Sequence, residues 1–451
     1  MKKNERYETT IVDLTHDGMG VAKIDGFPLF VHDALPQETV ELQVTKLGKK
    51  YGYGRVIKRL TDSPDRIEAR DKLGWQTGTM PLQQLAYPAQ LAFKTNQVQE
   101  ALKRIGHIEV DVPETIGTKN PWGYRNKGQI PVQNVCGQLT TGFYKKGTHT
   151  LVPVENFHIQ DPEIDKTVVV VRDLLRRLQL TAYNERNRSG DIRHIIVRRG
   201  QRTQQIMVII VTAKKRVRPL QLIADELAKR VTEVVSVIQN VNQDKTNRIL
   251  GQVNHVLYGK DYFEEELLGL TFKISPTSFF QVNTDQAEVL YQTALDFADL
   301  KESDTVIDAY CGIGSISLPL AKQAKHVYGV EVVPEAIEMA RDNAELNGLD
   351  NTTFVAGTAE EVLPKWVEEG LHPDVIVVDP PRKGLDDVVR KTMIEVKAPK
   401  IVYVSCNPAT LARDLADFVA AGYNVEKVQP VDMFPQTSHV ETVVLMSRVD
   451  K

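Results

Sequence analysis

Cys406 follows the apolar run KIVYV and precedes Asn407 and Pro408, the pattern of a strand that stops where a helix begins. A thiol at the carboxyl end of a strand is presented to a ligand, and its thiolate is an intrinsically strong nucleophile. An inert buried cysteine is the ordinary alternative. Cys311 competes less well, because it lies inside a glycine-rich turn where a small apolar side chain has a packing role, and Cys136 has no chemical context. Three widely separated cysteines form neither a disulfide framework nor a zinc site.

Three further runs put carboxylates where a ligand would sit. DTVIDAYCGIGSISLPLA reads as a strand reaching Asp308, a turn through Gly312 and Gly314 that lets backbone approach a ligand closely, and a helix starting at Ser315. HVYGVEVVPEAIEMARDNAELNG ends its strand at Glu331, a carboxylate placed to bind the two hydroxyls of an adenosine ribose. VIVVDPPRKGL ends a third strand at Asp379, Pro380 and Pro381. CGIGSIS lacks the third glycine of the full dinucleotide pattern, so a nicotinamide cofactor stays open beside S-adenosylmethionine, which the combination of the three runs favours.

The elements that must position these residues follow from periodicity. From about Thr271 onward, short apolar strand-like runs alternate with helical patterns, which predicts a doubly wound, Rossmann-like α/β domain over 271–451 with its ligands at the carboxyl edge of a parallel sheet. Residues 1–62 contain short alternating segments separated by Gly18, Gly20, Gly26 and Pro36, the reading of a small OB-like β-barrel. Between them, 63–270 mixes β-prone runs such as RHIIVRRG and QQIMVIIVTA with the helical PLQLIADELAKRV, a central α+β domain. A helix near 88–106, with Leu91, Val98, Leu102 and Ile105 at helical spacing, is placed to pack on the catalytic domain.

Composition narrows the class. The chain has 451 residues, 42% hydrophobic and 25% charged, which suits a multidomain folded protein. The segment MKKNERYETTIVDL lacks the apolar stretch of a secretory signal, and no run approaches the roughly 18 apolar residues of a membrane span, so no membrane partner and a cytoplasmic location are expected. The net charge of -3 hides opposite segments. Arg186, Arg188, Arg193, Arg198, Arg199, Arg202, Lys214, Lys215, Arg216 and Arg218 face only Asp191, a candidate phosphate-binding surface, whereas 301–370 is acidic. Lys46, Lys49, Lys50, Arg55, Lys58 and Arg59, interleaved with Tyr51 and Tyr53, could add phosphate contacts and stacking faces on the barrel.

Together SPTSFFQVN, DAYCGIGSISL, GVEVVPEAIEMARDNAELNG, DPPRKGL, VSCNPATLARDL and HVETVVLM resemble the class I methyltransferases, and among them the bacterial RNA uridine 5-methyltransferases. The resemblance implies transfer of a methyl group from S-adenosylmethionine to carbon 5 of uridine through a covalent Cys406–uracil adduct, giving 5-methyluridine. By the same resemblance Gln281, Tyr310, Glu331 and Asp379 correspond to cofactor-contacting positions, and Glu441 to the base that removes the carbon 5 proton. The barrel resembles a TRAM domain, which points to loop uridines of 23S ribosomal RNA as partner, at one or two sites, with a monomer as the working form. Many relatives carry an iron–sulfur cluster. Here Thr77 and Met80 stand where cysteines would, and the last ligand position falls near Phe157 or His158, so no cluster and no other metal is expected, as in the RlmCD-type members. Uridine 5-methylation of tRNA and a non-catalytic RNA-binding or folding factor on a methyltransferase fold are the alternatives.

Overall fold

The computed structural model describes residues 1–245 and 247–449. Five strands, Arg6–Leu14, Gly20–Ile24, Phe27–His32, Thr39–Leu47 and Gly52–Thr61, close into the expected barrel. Alternation sets its inside: Val40, Leu42 and Val44 point inward against Ile11, Leu29 and Val31. Buried Glu38 accepts hydrogen bonds from Arg59 and Arg66, and Arg66 also reaches Asp33, which ties the following link to the barrel.

The central part is a seven-stranded sheet in the order Val253–Gly259, Val234–Val241, Ile206–Thr212, Ile192–Arg199, Lys127–Val135, Gln138–Tyr144, Leu151–Pro153. Helices Pro162–Arg177 and Leu220–Arg230 cover one face. Ile209 and Met207 on the other face join a core that contains the hairpin Phe263–Leu267/Leu270–Ile274 and the helix Thr284–Ala298. Burial on both faces is why Ile206–Thr212 is an unbroken apolar run rather than an alternating one. The turn of that hairpin lies beside residue 270, where the sequence places the start of the catalytic domain.

The carboxyl-terminal sheet is doubly wound, as expected. Its order is Thr352–Ala356, His326–Glu331, Thr305–Asp308, Val375–Val378, Lys400–Ser405, Glu441–Arg448, Tyr423–Val431. The first five are parallel, Glu441–Arg448 runs antiparallel to them, and Tyr423–Val431, antiparallel in turn to Glu441–Arg448, points the same way as the first five. Strand order reverses between Thr305–Asp308 and Val375–Val378, so a crevice opens at their carboxyl ends.

The helix Tyr87–Ala101 continues through a π-helical turn, Leu102–Gly106, and packs against the helix Pro408–Ala420. Gly106 is required there, because a Cβ would lie 2.9 Å from the Ala412 carbonyl oxygen. The buried face differs from the one read from spacing: Gln90, Lys94, Val98 and Leu102 are buried, while Ile105 is 46% exposed. Two causes account for this. The wider turn rotates Ile105 off the stripe, and the helix faces an irregular segment, 432–438, whose backbone groups need hydrogen-bond partners.

That polar face makes a continuous clasp. Lys94 forms an ion pair with Asp432, both fully buried, and donates to the Phe434 carbonyl at 3.1 Å. Tyr87 donates to Asp432 at 2.8 Å, and the Gln90 side chain exchanges two 3.0 Å hydrogen bonds with Gln436. Removing one partner of a buried pair strands the other charge. Lys94→Met is therefore expected to destabilise the fold by about 3–5 kcal/mol, read as a lowered urea midpoint, whereas Lys94→Met combined with Asp432→Leu recovers part of the loss.

Candidate functional site

Four of the five strands of the parallel sheet each deliver one polar group to the crevice. Asp308 ends the first, where its carboxylate accepts from Ser317 Oγ at 2.6 Å. The chain then turns through Gly312 and Gly314, with φ of 53° and 87°. A Cβ on Gly312 would meet nothing within 4 Å, so bare backbone faces open space. Glu331 ends the next strand, and its Oε1 accepts from the Val333 amide at 3.0 Å. Asp379 follows Val375–Val378.

Cys406 leaves the end of Lys400–Ser405, directly before Asn407, whose side chain caps the helix Pro408–Ala420 by accepting from the Ala409 amide at 3.0 Å. Ser405 pairs with Thr442 across the antiparallel ladder, so Cys406 and Glu441 leave it side by side. All six residues singled out from the sequence, Gln281, Tyr310, Glu331, Asp379, Cys406 and Glu441, line one cavity of about 680 Å³. Phe279, Tyr291, Arg382, Phe434 and His439 also line it. Arg382 was visible in DPPRKGL but not singled out; Phe434 and His439 sit in an irregular segment with no motif to mark them.

The cavity is rich in buried acid. Burial pushes Asp308 up to about 6, opposed by the Ser317 hydrogen bond. Asp379 and Glu441 are both raised, first by burial; Asp308 adds to the effect on Asp379, and Asp379 adds to that on Glu441. The Cys406 thiol is pushed up to about 11 by burial, then by Glu441 and Asp379, with Arg382 pulling the other way. Such a site stabilises added positive charge.

A second cavity, of about 590 Å³, shares Phe279, Gln281, Arg382, Phe434 and His439 with the first. Its wall carries the opposite sign, with Arg125, Lys127 and Lys146 beside Arg382. Burial, then Arg198 and Arg125, lower Lys127 to about 7. Phe279, 65% exposed, stands where the two cavities meet.

The basic run divides into two sets. Arg193 donates to the carbonyls of Asn242 and Asp244, and Arg198 to those of Ser275 and Ser278. Arg199 pairs with Asp161, Arg202 with Asp285 and Glu288, and Lys214 with Asp191. Those five join parts of the protein, and Arg186, Arg188, Lys215, Arg216 and Arg218 stay exposed. On the barrel, Tyr51 and Tyr53 cluster with Phe30, while Arg59 is held by Glu38.

Met80 and Phe157 pack into a small apolar cluster with Tyr124 and Ile159, Thr77 bonds to the Leu73 carbonyl, and His158 meets the Trp122 ring edge-on. Among the described residues no group of three or more His, Cys, Asp or Glu side chains is placed to hold a metal ion. Nor is any helix among them long and apolar enough to cross a membrane.

A family model described as tRNA (uracil-5-)-methyltransferase matches residues 86–449, and one described as TRAM domain matches residues 2–57. The chain belongs to the tRNA (uracil-5-)-methyltransferase family. This methyltransferase is 49% identical over 449 residues, 99% of its own length and 98% of the relative's, to a protein of Enterococcus faecalis described as an uncharacterized RNA methyltransferase. A protein of Lactiplantibacillus plantarum with the same description is 52% identical over 447 residues, again 99% and 98% of the two chains. The crystal structure of Pyrococcus abyssi tRNA (uracil-54, C5)-methyltransferase in complex with S-adenosyl-L-homocysteine matches with a TM-score of 0.79 and 27% identity, covering 97% of this chain and 99% of that one.

The adjacency of Glu441 to the thiol gives a direct test. Glu441→Gln removes a negative neighbour that raises the Cys406 thiol, so the thiol should ionise at lower pH. At about pH 9 iodoacetamide is expected to alkylate Cys406 several-fold faster in the variant, measured on the Cys406 peptide by mass spectrometry. An unchanged rate would mean that no charge at Glu441 acts on the thiol.

Proposed function

We propose that this methyltransferase transfers a methyl group from S-adenosylmethionine to carbon 5 of a uridine in 23S ribosomal RNA, with Cys406 as nucleophile and Glu441 as base. The observation that carries the reading is that Cys406 and Glu441 leave paired strand ends side by side into one cavity. A non-catalytic RNA-binding protein would have no use for that juxtaposition.

The residues fit the methyl donor. A sulfonium is a cation, and the cavity concentrates the buried carboxyls of Asp308, Asp379 and Glu441. Glu331 suits the ribose hydroxyls, the bare backbone at Gly312 leaves room for close approach, and Gln281, Tyr310 and Asp379 line the remaining wall. When bound, S-adenosylmethionine supplies an electrophilic methyl group.

The chain's own residues do the rest. Arg382 favours the Cys406 thiolate, which adds to carbon 6 of the uracil and makes carbon 5 nucleophilic. Once carbon 5 carries both a methyl group and a hydrogen, Glu441 takes the proton; the electron pair re-forms the carbon 5–carbon 6 double bond and expels the thiolate. A carboxyl with a raised proton affinity is suited to that step near neutral pH. The uridine must be unstacked to reach Cys406. The adjoining cavity, with Arg125, Lys127 and Lys146 for phosphates and exposed Phe279 for a base, suits the flanking strand.

One observation favours transfer RNA as a second reading of the substrate. The Pyrococcus abyssi tRNA enzyme aligns with 97% of this chain, which includes most of the barrel, so a TRAM domain does not by itself separate ribosomal from transfer RNA.

The experiment is a covalent trap. Protein and S-adenosylmethionine are mixed with 5-fluorouridine transcripts of 23S ribosomal RNA or of tRNA and run on a denaturing gel. A complex on 23S RNA that is absent in Cys406→Ala is expected; a complex only on tRNA moves the substrate, and none on either sinks the cysteine mechanism. With ordinary RNA, Glu441→Gln is expected to accumulate a methylated covalent complex while turnover falls by about 10²-fold or more.

A further inference from the structure

The loop that follows Ile206–Thr212 is built to display cations. Gln239, itself buried, donates from its side chain to Thr212 Oγ1 at 2.9 Å and to the carbonyls of Lys214 and Lys215 at 3.2 and 3.4 Å. These bonds fix the loop backbone from below. Lys215, Arg216 and Arg218 are left exposed, and with His255 of the edge strand Val253–Gly259 they line an open groove of about 390 Å³. Among the described residues none of the three is ion-paired, in contrast to Arg199, Arg202 and Lys214 of the same run. The nearby acid, Asp191, is already neutralised by Lys214 at 2.8 Å.

This groove is remote from the catalytic cavity. The strand Ile192–Arg199 lies antiparallel to Ile206–Thr212, and its Arg199 end joins the catalytic half: the Arg199 amide donates to the Asn126 carbonyl, and the Asn126 side chain donates to the Gln281 carbonyl. The cationic loop leaves the opposite end. A seven-residue strand separates the two, roughly 20–25 Å at the usual rise per residue. The groove shares no lining residue with either of the two connected cavities.

We propose that Lys215, Arg216 and Arg218 bind the sugar–phosphate backbone of a second segment of the substrate RNA, outside the strand that carries the target uridine. The inference rests on RNA being the substrate. The groove is lined by three cations and one imidazole, with no Phe, Tyr or Trp among its lining residues, so the contact is to phosphates and is independent of sequence. It selects for RNA whose folded shape brings a further segment to the far end of the central sheet.

The test compares two RNAs on the wild type and on a variant carrying Lys215→Gln, Arg216→Gln and Arg218→Gln. One RNA is a 23S transcript; the other is an oligouridine too short to leave the two cavities. Affinity is measured at several salt concentrations without methyl donor. The variant is expected to bind the transcript about tenfold or more weakly, with the slope of log affinity against log salt reduced by about 2 to 3, while oligouridine affinity changes less than about twofold. Unchanged transcript affinity and slope overturn the proposal and leave an acidic protein as the partner for the groove. Equal weakening of both RNAs overturns it differently, since the cations would then act on the target strand. If the wild type binds neither RNA in a salt-dependent way, the RNA reading itself fails, and the groove proposal falls with it.

Discussion

A lysine ammonium and a carboxylate, both withdrawn from water, anchor the segment on which the cavity depends. Burial pulls the proton affinity of Lys94 down and Asp432 opposes it, so each group is tolerable only because the other is there. Apolar side chains would fill the same space without specifying direction. The pair, with Tyr87 and Gln90 on the same helix face, instead fixes where residues 432–438 run. Phe434 lies within that stretch and His439 immediately after it, both lining the two cavities, and Glu441 opens the next strand. A helix that lines neither cavity thereby sets the position of one wall.

Charge is sorted around that wall. Acid collects at the switch point of the sheet, where parallel strands converge on Asp308 and Asp379, and base collects on the side facing the central sheet and barrel. In the proposed function the two ligands have opposite signs, a cationic methyl donor and a polyanion, and each has a region that prefers it. Arg382 borders both cavities and lowers the proton affinity of both Cys406 and Glu441. The thiol and the carboxyl proposed to react therefore have a cation beside them at the boundary where the polyanion would enter.

Most of the fold was legible because the catalytic sheet alternates short apolar strands with helices, and because its ligand-facing residues fall at strand ends, where strand and turn signals mark them. Asp308, Glu331, Asp379 and Cys406 are of that kind. Glu441 is not: it opens a strand that returns antiparallel from the far side of the sheet, and only likeness to a family singled it out before the ladder with Lys400–Ser405 placed it. Counting charges misled in the central region, where Arg193 and Arg198 lie on a strand and point into the protein toward carbonyl groups, a direction composition does not encode. The helix at Tyr87–Ala101 misled for the converse reason. Apolar spacing assumes an oily neighbour along the whole stripe, whereas Gln90 and Lys94 face the buried irregular backbone of 432–438, which needs hydrogen-bond partners.

That helix also makes the catalytic unit discontinuous in sequence, since Val98 and Leu102 share a core with Leu411 and Leu415 while the whole central sheet intervenes. Lys94 and Asp432 are 338 residues apart. At about 5 to 20 residues per second, Lys94 waits on the order of 20–70 s during translation before its counter-ion exists. Throughout that interval the helix has a buried-type lysine and two buried-type glutamine contacts with nothing to meet them. The nascent chain consequently spends that interval with a barrel and a central sheet free to fold and a helix that cannot yet dock, and the wall of the cavity is completed only after Asp432 has emerged.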